Sequence, residues 1–304
     1  MVSGQWPVVS KQTLATAHWP LLPHILTKSL LPPRAASGYA AGMSLRVAVL
    51  ASGSKGNSTL IASAKTRILV DCGLSCRELF RRLHAAGEDA HRLDAILISH
   101  EHSDHVSGLP VMARKTRATV FMTGPANDAW GRSCDDSDLA RLELFSAGHR
   151  FTVGDIEVTP FTVPHDSADP VAFTFRCDGV KAGIVTDLGY IPRSVSEHVR
   201  GCDVLVIESN HDLEMLRTGP YPWVVKQRVG SRVGHLSNGT LADFFANDYD
   251  GSAAFVVLAH LSEQNNHPEI ARRTAEAALQ PCRNLLHNRL LLAAQHAVLD
   301  PIRL

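Results

Sequence analysis

Thirty basic and thirty acidic side chains in 304 residues leave a formal net charge of zero, so no global field marks the chain for nucleic acid, although a local basic groove stays open. With 45% hydrophobic and 20% charged residues the chain can bury a substantial core, as one large domain or two small ones, and its balance suits a soluble enzyme. Six scattered cysteines, Cys72, Cys76, Cys134, Cys177, Cys202 and Cys282, form no Cys-x-x-Cys pair, which reads as reduced thiols in a cytoplasmic protein that needs no disulfide frame.

Residues 1–42 hold Pro7, Pro20, Pro23, Pro32 and Pro33, no acidic residue, and only Lys11, Lys28 and Arg34 as strong cations. Acid-poor segments can be transit or export signals, but proline breaks the apolar stretches here, and no run approaches the roughly 18–20 residues of a membrane span. The favoured reading is a disordered extension or over-long start, with a single domain over 43–304. Strands are expected at 45–50 and 58–62 around the loop 52–57, whose Gly, Ser and Asn content fits a plain turn or a cradle of backbone amides for phosphate. Another strand over 67–70 ends at Asp71, a helix over 77–86 ends before Gly87, and the apolar run 95–98 leads into a histidine-rich turn. Further strands are expected at 151–158, 171–177, 180–187, 204–208, 255–259 and 289–294, with helices at 236–247 and 268–279. Periodicity alone gives a mixed α/β protein.

The turn after the 95–98 run sets His100, His102, Asp104 and His105 within six residues. Helical metal motifs space their histidines four apart, so a two-residue spacing after a β-run points to a loop site. His100 and His102 can grip one cation, while Asp104 and His105, past the turn, aim at a second position.

The pattern His100-Glu101-His102-Ser103-Asp104-His105 resembles the His-x-His-x-Asp-His loop of the metallo-β-lactamase fold superfamily. In order along the chain, Asp71, His165, Asp187 and His260 match that superfamily's other motif residues. The resemblance implies a four-layer αββα sandwich with the site at one edge between its two sheets. It implies two divalent metal ions, one on His100, His102 and His165 and one on Asp104, His105 and His260, with Asp187 bridging and Asp71 supporting from outside. Nitrogen and oxygen donors without thiolate suit Zn²⁺ foremost and admit Mn²⁺ or Fe²⁺.

Finer segments, 52–58, 208–216, 219–228, 234–238 and 260–266, are similar to the YycJ/WalJ branch of that superfamily. That likeness implies a single-domain phosphodiesterase, a 5′-to-3′ exonuclease on DNA or RNA working through a metal-bridged hydroxide, with Asp104, His235 and Glu208 as the catalytic set. Gly234-His235-Leu236-Ser237 also resembles the Gly-His-Ser-Thr element of tRNase Z, which makes His235 the proton donor held by Glu208; the plainer reading is that His235 caps the following helix. His211, Ser54 and Asn57 are the substrate-binding candidates. Lys226, Arg228 and Arg232 beside Tyr221 and Trp223 read either as a nucleic-acid track or as a solvated helix face. The alternative function is a small-molecule hydrolase of a cyclic phosphodiester or thioester; a regulator keeping the metal site is a third. No membrane partner is expected, and association into a homo-oligomer is in keeping with the family.

Overall fold

Side chains alternate between two cores along almost every strand. In Val204–Glu208, Val204 and Val206 join one apolar cluster while Leu205 and Ile207 join another. A strand buried on both faces reads as a continuous apolar run, and its period of two sends neighbours to opposite layers.

The computed structural model describes residues 44–131, 139, 141–280 and 289–304. The segment 1–42, the expected domain start at Met43, and Cys134 and Cys282 lie outside them. The chain divides into two units, Met1–Ala40 and Ala41–Leu304, and the described elements belong to the second.

In chain order its first half contains β1 (Arg46–Ala51), β2 (Ser58–Ala62), β3 (Arg67–Val70), α1 (Cys76–Ala85), β4 (Ala95–Leu97), α2 (Ser103–Val106), α3 (Leu109–Thr116), β5 (Thr119–Thr123), α4 (Gly124–Gly131) and β6 (Leu142–Phe145). The second half contains β7 (Phe151–Val153), β8 (Ile156–Thr162), β9 (Val171–Cys177), β10 (Val180–Val185), α5 (Arg193–Val199), β11 (Val204–Glu208), α6 (Leu213–Thr218), α7 (Trp223–Val229), α8 (Asn238–Asn247), β12 (Phe255–Ala259), α9 (Pro268–Leu279), β13 (Arg289–Leu292) and β14 (Ile302–Arg303).

Two seven-stranded sheets result, ordered β14-β1-β2-β3-β4-β5-β6 and β13-β12-β11-β10-β9-β8-β7. Their inner faces meet through Val49, Ile68 and Leu97 on one side and Phe173, Phe175 and Val257 on the other. Leu79, Leu83 and Met112, from α1 and α3, cover the first sheet's outer face, and Val195, Leu241 and Phe245, from α5 and α8, cover the second's. This is the αββα sandwich the resemblance implied. Each large apolar side chain so buried contributes roughly 1.5–3 kcal/mol relative to exposure.

Three expectations are corrected. The single strand at 151–158 is a hairpin: Gly154, at φ +57°, and Asp155 turn the chain so that Val153 pairs with Ile156, and β8 then runs on to Thr162. The helix expected from 236 starts at Asn238, because the Ser237 hydroxyl accepts from the Thr240 amide and caps it. The tail strand stops at Leu292, after which the chain crosses to the first sheet, where Ile302 pairs with Val47. Among the described residues no helix is long and apolar enough to cross a membrane. Cys72, Cys76, Cys177 and Cys202 are free and buried.

Candidate metal centre

The parallel strands β3 and β4 of one sheet and β10, β11 and β12 of the other end beside the same pocket. Ligands of open α/β sheets gather at such carboxyl ends. Asp71, Asp187 and His260, at or just past the ends of β3, β10 and β12, adopt left-handed backbone with φ of 62°, 59° and 55°. Asp and His are among the few residues enriched in that region, which costs other side chains of order 1–3 kcal/mol. The sharp turn lets each strand end in a side chain that stays within the site.

A first cluster joins His100, His102 and His165. His100 Nε2 lies 3.1 Å from His102 Nδ1, and His165 Nε2 lies 3.3 Å from the same atom. Behind them stand neutral oxygens: Ser99 Oγ is 3.0 Å from His100 Nδ1, and the Gly234 carbonyl is 3.1 Å from His165 Nδ1. Burial, first among several causes, holds the pKa of His100 well below the ordinary histidine value and lowers that of His165. Both therefore stand as neutral bases with a lone pair to give.

The second cluster joins Asp104, His105 and His260, with Asp187 alongside. Asp104 Oδ2 is 3.4 Å from His105 Nε2 and 3.6 Å from His260 Nε2, and Asp187 Oδ2 is 3.4 Å from His105 Nε2. Here the imidazoles are backed by carboxylates. His105 Nδ1 meets Asp71 Oδ2 at 2.9 Å, and His260 Nδ1 meets Glu208 Oε1 at 2.7 Å. Burial opposes protonation of both rings, yet Asp187 and the neighbouring carboxylates outweigh it and raise both pKa values well above the usual range. The same field that holds a proton there would hold a cation.

Two buried atoms of this cluster, Asp187 Oδ2 and His260 Nε2, have no hydrogen-bond partner among the described residues. A buried polar atom left bare in a native structure calls for an explanation such as an ion. Both donor sets, all imidazole and carboxylate, fit divalent cations.

Glu208 is fully buried and accepts four hydrogen bonds, from His235 Nδ1 (2.9 Å), His260 Nδ1 (2.7 Å) and the amides of Leu188 (3.0 Å) and Leu236 (3.1 Å). With every acceptor position used, it is held ionised against burial, chiefly by His235. His235 thus lines the pocket with its ring anchored through Nδ1. It does not cap α8, which Ser237 does.

The pocket holds about 300 Å³, the lower end of the ~300–1,000 Å³ typical of ligand sites. Ser54 is on its wall, but Asn57 and His211 are not. Asn57 is buried, its Nδ2 3.2 Å from Asp104 Oδ2 and its Oδ1 accepting from the Gly53 amide, so it ties the glycine loop to a cluster residue. His211 is 1% exposed, beside Asn210, and burial pushes its pKa down to about 4. Its carbonyl accepts from the Asn238 amide (2.9 Å) at the start of α8.

Sequence reasoning missed several supports. Ser99 gives its amide and hydroxyl to Asp71 (2.8 and 2.9 Å), and its position directly before the histidine motif was the available signal. Asn210 donates to the His260 carbonyl (2.8 Å) and Ser52 Oγ accepts from the His260 amide (2.7 Å), which hold the left-handed turn. Gln295 accepts from the Lys55 amide (2.8 Å) and donates to the Gly56 carbonyl (2.9 Å) from some 240 residues away. Gly56 itself cannot be larger, because a Cβ would lie 2.5 Å from the Gly73 carbonyl oxygen.

A family model described as the β-lactamase superfamily domain matches residues 66–260, and the chain belongs to that superfamily as a hydrolase of the metallo-β-lactamase fold. Within it the chain falls in the YycJ/WalJ branch. It is 37% identical over 238 residues to exodeoxyribonuclease YycJ of Bacillus anthracis, covering 78% of this chain and 90% of that protein. It is also 37% identical over 235 residues to exodeoxyribonuclease WalJ of Streptococcus pneumoniae, covering 75% and 86%. Among solved structures, the metallo-β-lactamase fold protein YhfI of Bacillus subtilis superposes with a TM-score of 0.65 at 16% identity, over 84% of this chain and 99% of that one, a likeness of fold.

Proposed function

We propose that the chain is a two-metal phosphodiesterase that degrades nucleic acid from an end, a 5′-to-3′ exonuclease on DNA, working in the cytoplasm. The observation that carries this reading is His235, anchored on buried Glu208 and facing the pocket that the two ligand clusters share. Two relatives of which this chain covers 86–90%, both named exodeoxyribonucleases, supply the substrate class.

His100, His102 and His165 would hold one cation, and Asp104, His105 and His260 the other, with Asp187 between, Zn²⁺ being the first choice. Bound divalent ions supply Lewis acidity, acidifying water and neutralising charge on a phosphate. The chain's own residues do the rest. Glu208 fixes the ring of His235, which leaves Nε2 to hand a proton to the departing alkoxide, a role worth about 10²–10⁴ in rate. Ser54 and Tyr221 border the space a nucleotide would fill. The small volume favours one terminal unit over a continuous duplex.

The test is turnover of 5′-labelled and 3′-labelled DNA and RNA by protein loaded separately with Zn²⁺ and Mn²⁺. Release from the 5′ end of DNA is expected, with His235→Ala keeping full metal content and losing 10²–10⁴ in kcat. Inactivity on every polymer, with cleavage of bis-p-nitrophenyl phosphate, would replace this reading with a small-molecule phosphodiesterase.

A further inference from the structure

Three cations sit close together in the sequence, Lys226 and Arg228 within α7 and Arg232 just after it, and the fold sends them to different tasks. Lys226 Nζ turns back to the Arg217 carbonyl of α6 (2.8 Å), and the Arg232 guanidinium lies 4.1 Å from the centre of the Tyr190 ring. Arg228 alone of the lysines and arginines among the described residues lines the pocket. Its Nε is ion-paired with Asp166, the neighbour of His165, and its side chain is 61% exposed. Its two terminal nitrogens make no hydrogen bond among the described residues. Val225 and Val229 of the same helix face and Tyr221 just before it line the pocket too, giving an apolar surface beside the cation.

A guanidinium held by one edge and free at the other is suited to a phosphate, which it can meet with two parallel N–H donors. Asp166 neutralises part of its charge, so what it offers is direction more than field. The cation stands on α7, one carboxylate removed from the first cluster, since its partner Asp166 also lies 3.6 Å, through Oδ1, from His165 Nε2. A phosphate on its outer nitrogens would neighbour the one at the clusters, as adjacent phosphates of one strand do.

We propose that Arg228, positioned by Asp166 and flanked by Tyr221, is a subsite for the terminal 5′-phosphate of a strand end whose scissile phosphodiester lies at the His/Asp clusters. This rests on the reading of the pocket as a phosphodiesterase site, and it makes the enzyme selective for phosphorylated ends. Tyr221 lies against the terminal sugar and base. Asp166 acts through Arg228 and is a positioning residue.

The experiment compares 5′-phosphorylated with 5′-hydroxyl single-stranded DNA on the metal-loaded protein. The wild type is expected to favour the phosphorylated end about tenfold in kcat/KM, equal to ~1.4 kcal/mol, expressed in KM. Arg228→Gln brings the ratio to about one, Arg228→Lys restores part of it without the bidentate fork, and Asp166→Asn lowers it partway. Trp223→Ala, exposed and off the pocket wall, keeps the wild-type ratio. A variant that merely perturbs the fold slows both substrates and leaves the ratio standing. No preference in the wild type, or an unaltered ratio in Arg228→Gln, overturns the proposal. If no polymer is cleaved, the exonuclease reading fails separately, and calorimetry decides the subsite. Thymidine 3′,5′-bisphosphate should bind about tenfold tighter than thymidine 3′-monophosphate, with the gap erased by Arg228→Gln; equal affinities in the wild type would sink it.

Discussion

The two ligand clusters differ less in their donors than in what stands behind them. His100 and His165 lean on a hydroxyl and a carbonyl, whereas His105 and His260 lean on the buried carboxylates of Asp71 and Glu208. Anionic backing raises the basicity of an imidazole ligand, and neutral backing does so less. The second position would therefore grip a cation more tightly than the first: burial keeps His100 and His165 neutral, whereas the carboxylates favour a proton on His105 and His260 that a cation would displace.

The largest effect should come from the carboxylates. Glu208→Gln is expected to weaken metal binding at the second position 10–100-fold, read by chelator competition with metal content per chain. It should also slow turnover, since His235 loses its anchor. If the first position empties instead, the comparison is reversed. Ser99→Ala, behind His100 and Asp71, should cost less than tenfold. A loss equal to that of Glu208→Gln would mean that backing charge does not set the order.

Proton displacement gives a second handle. Because the carboxylates raise the pKa of His105 and His260, metal binding there releases protons, and affinity must rise with pH. Titrations at pH 6 and pH 8 should show a steeper increase for the tighter position, and equal slopes would break the argument.

His211 is a buried histidine that belongs to neither ligand cluster and has Asn210 beside its ring. Its pKa, near 6.5 unfolded and about 4 folded, means that the unfolded chain binds the extra proton between those values. Its contribution to stability is complete above pH 6.5 and is lost as pH falls through 4. Thermal melts across that window should flatten in His211→Gln by up to about 3 kcal/mol. An unchanged pH dependence would show that His211 is not held neutral.

The metal motif was legible because its signal is local: two-residue spacing after an apolar strand places His100 and His102 together whatever the rest of the fold does. The strand over 204–208 was legible because both its faces are buried. What could not be read depends on pairing at a distance. A histidine after a strand looks the same whether it faces a pocket, as His260 does, or lies behind one, as His211 does. Asn57 in a glycine-rich loop suggests a phosphate cradle, yet its partners are Asp104 and His105, 47 and 48 residues on. The separate fates of Lys226, Arg228 and Arg232 depend on Arg217, Asp166 and Tyr190, and no spacing rule predicts them.

The crossing segment 289–304 has a bearing on when activity can arise. It supplies Gln295 beneath the 53–57 loop and a strand to the edge of the first sheet, and the Arg82 guanidinium donates to both the Gln295 carbonyl (2.9 Å) and that of Leu50 (2.8 Å). A nascent chain carrying every motif residue from Asp71 to His260 would still lack this clasp. The pocket wall at Ser54 would stay unbraced until residues 289–304 had been made, so a polypeptide short of them, even with all its ligands, is expected to be a poor hydrolase.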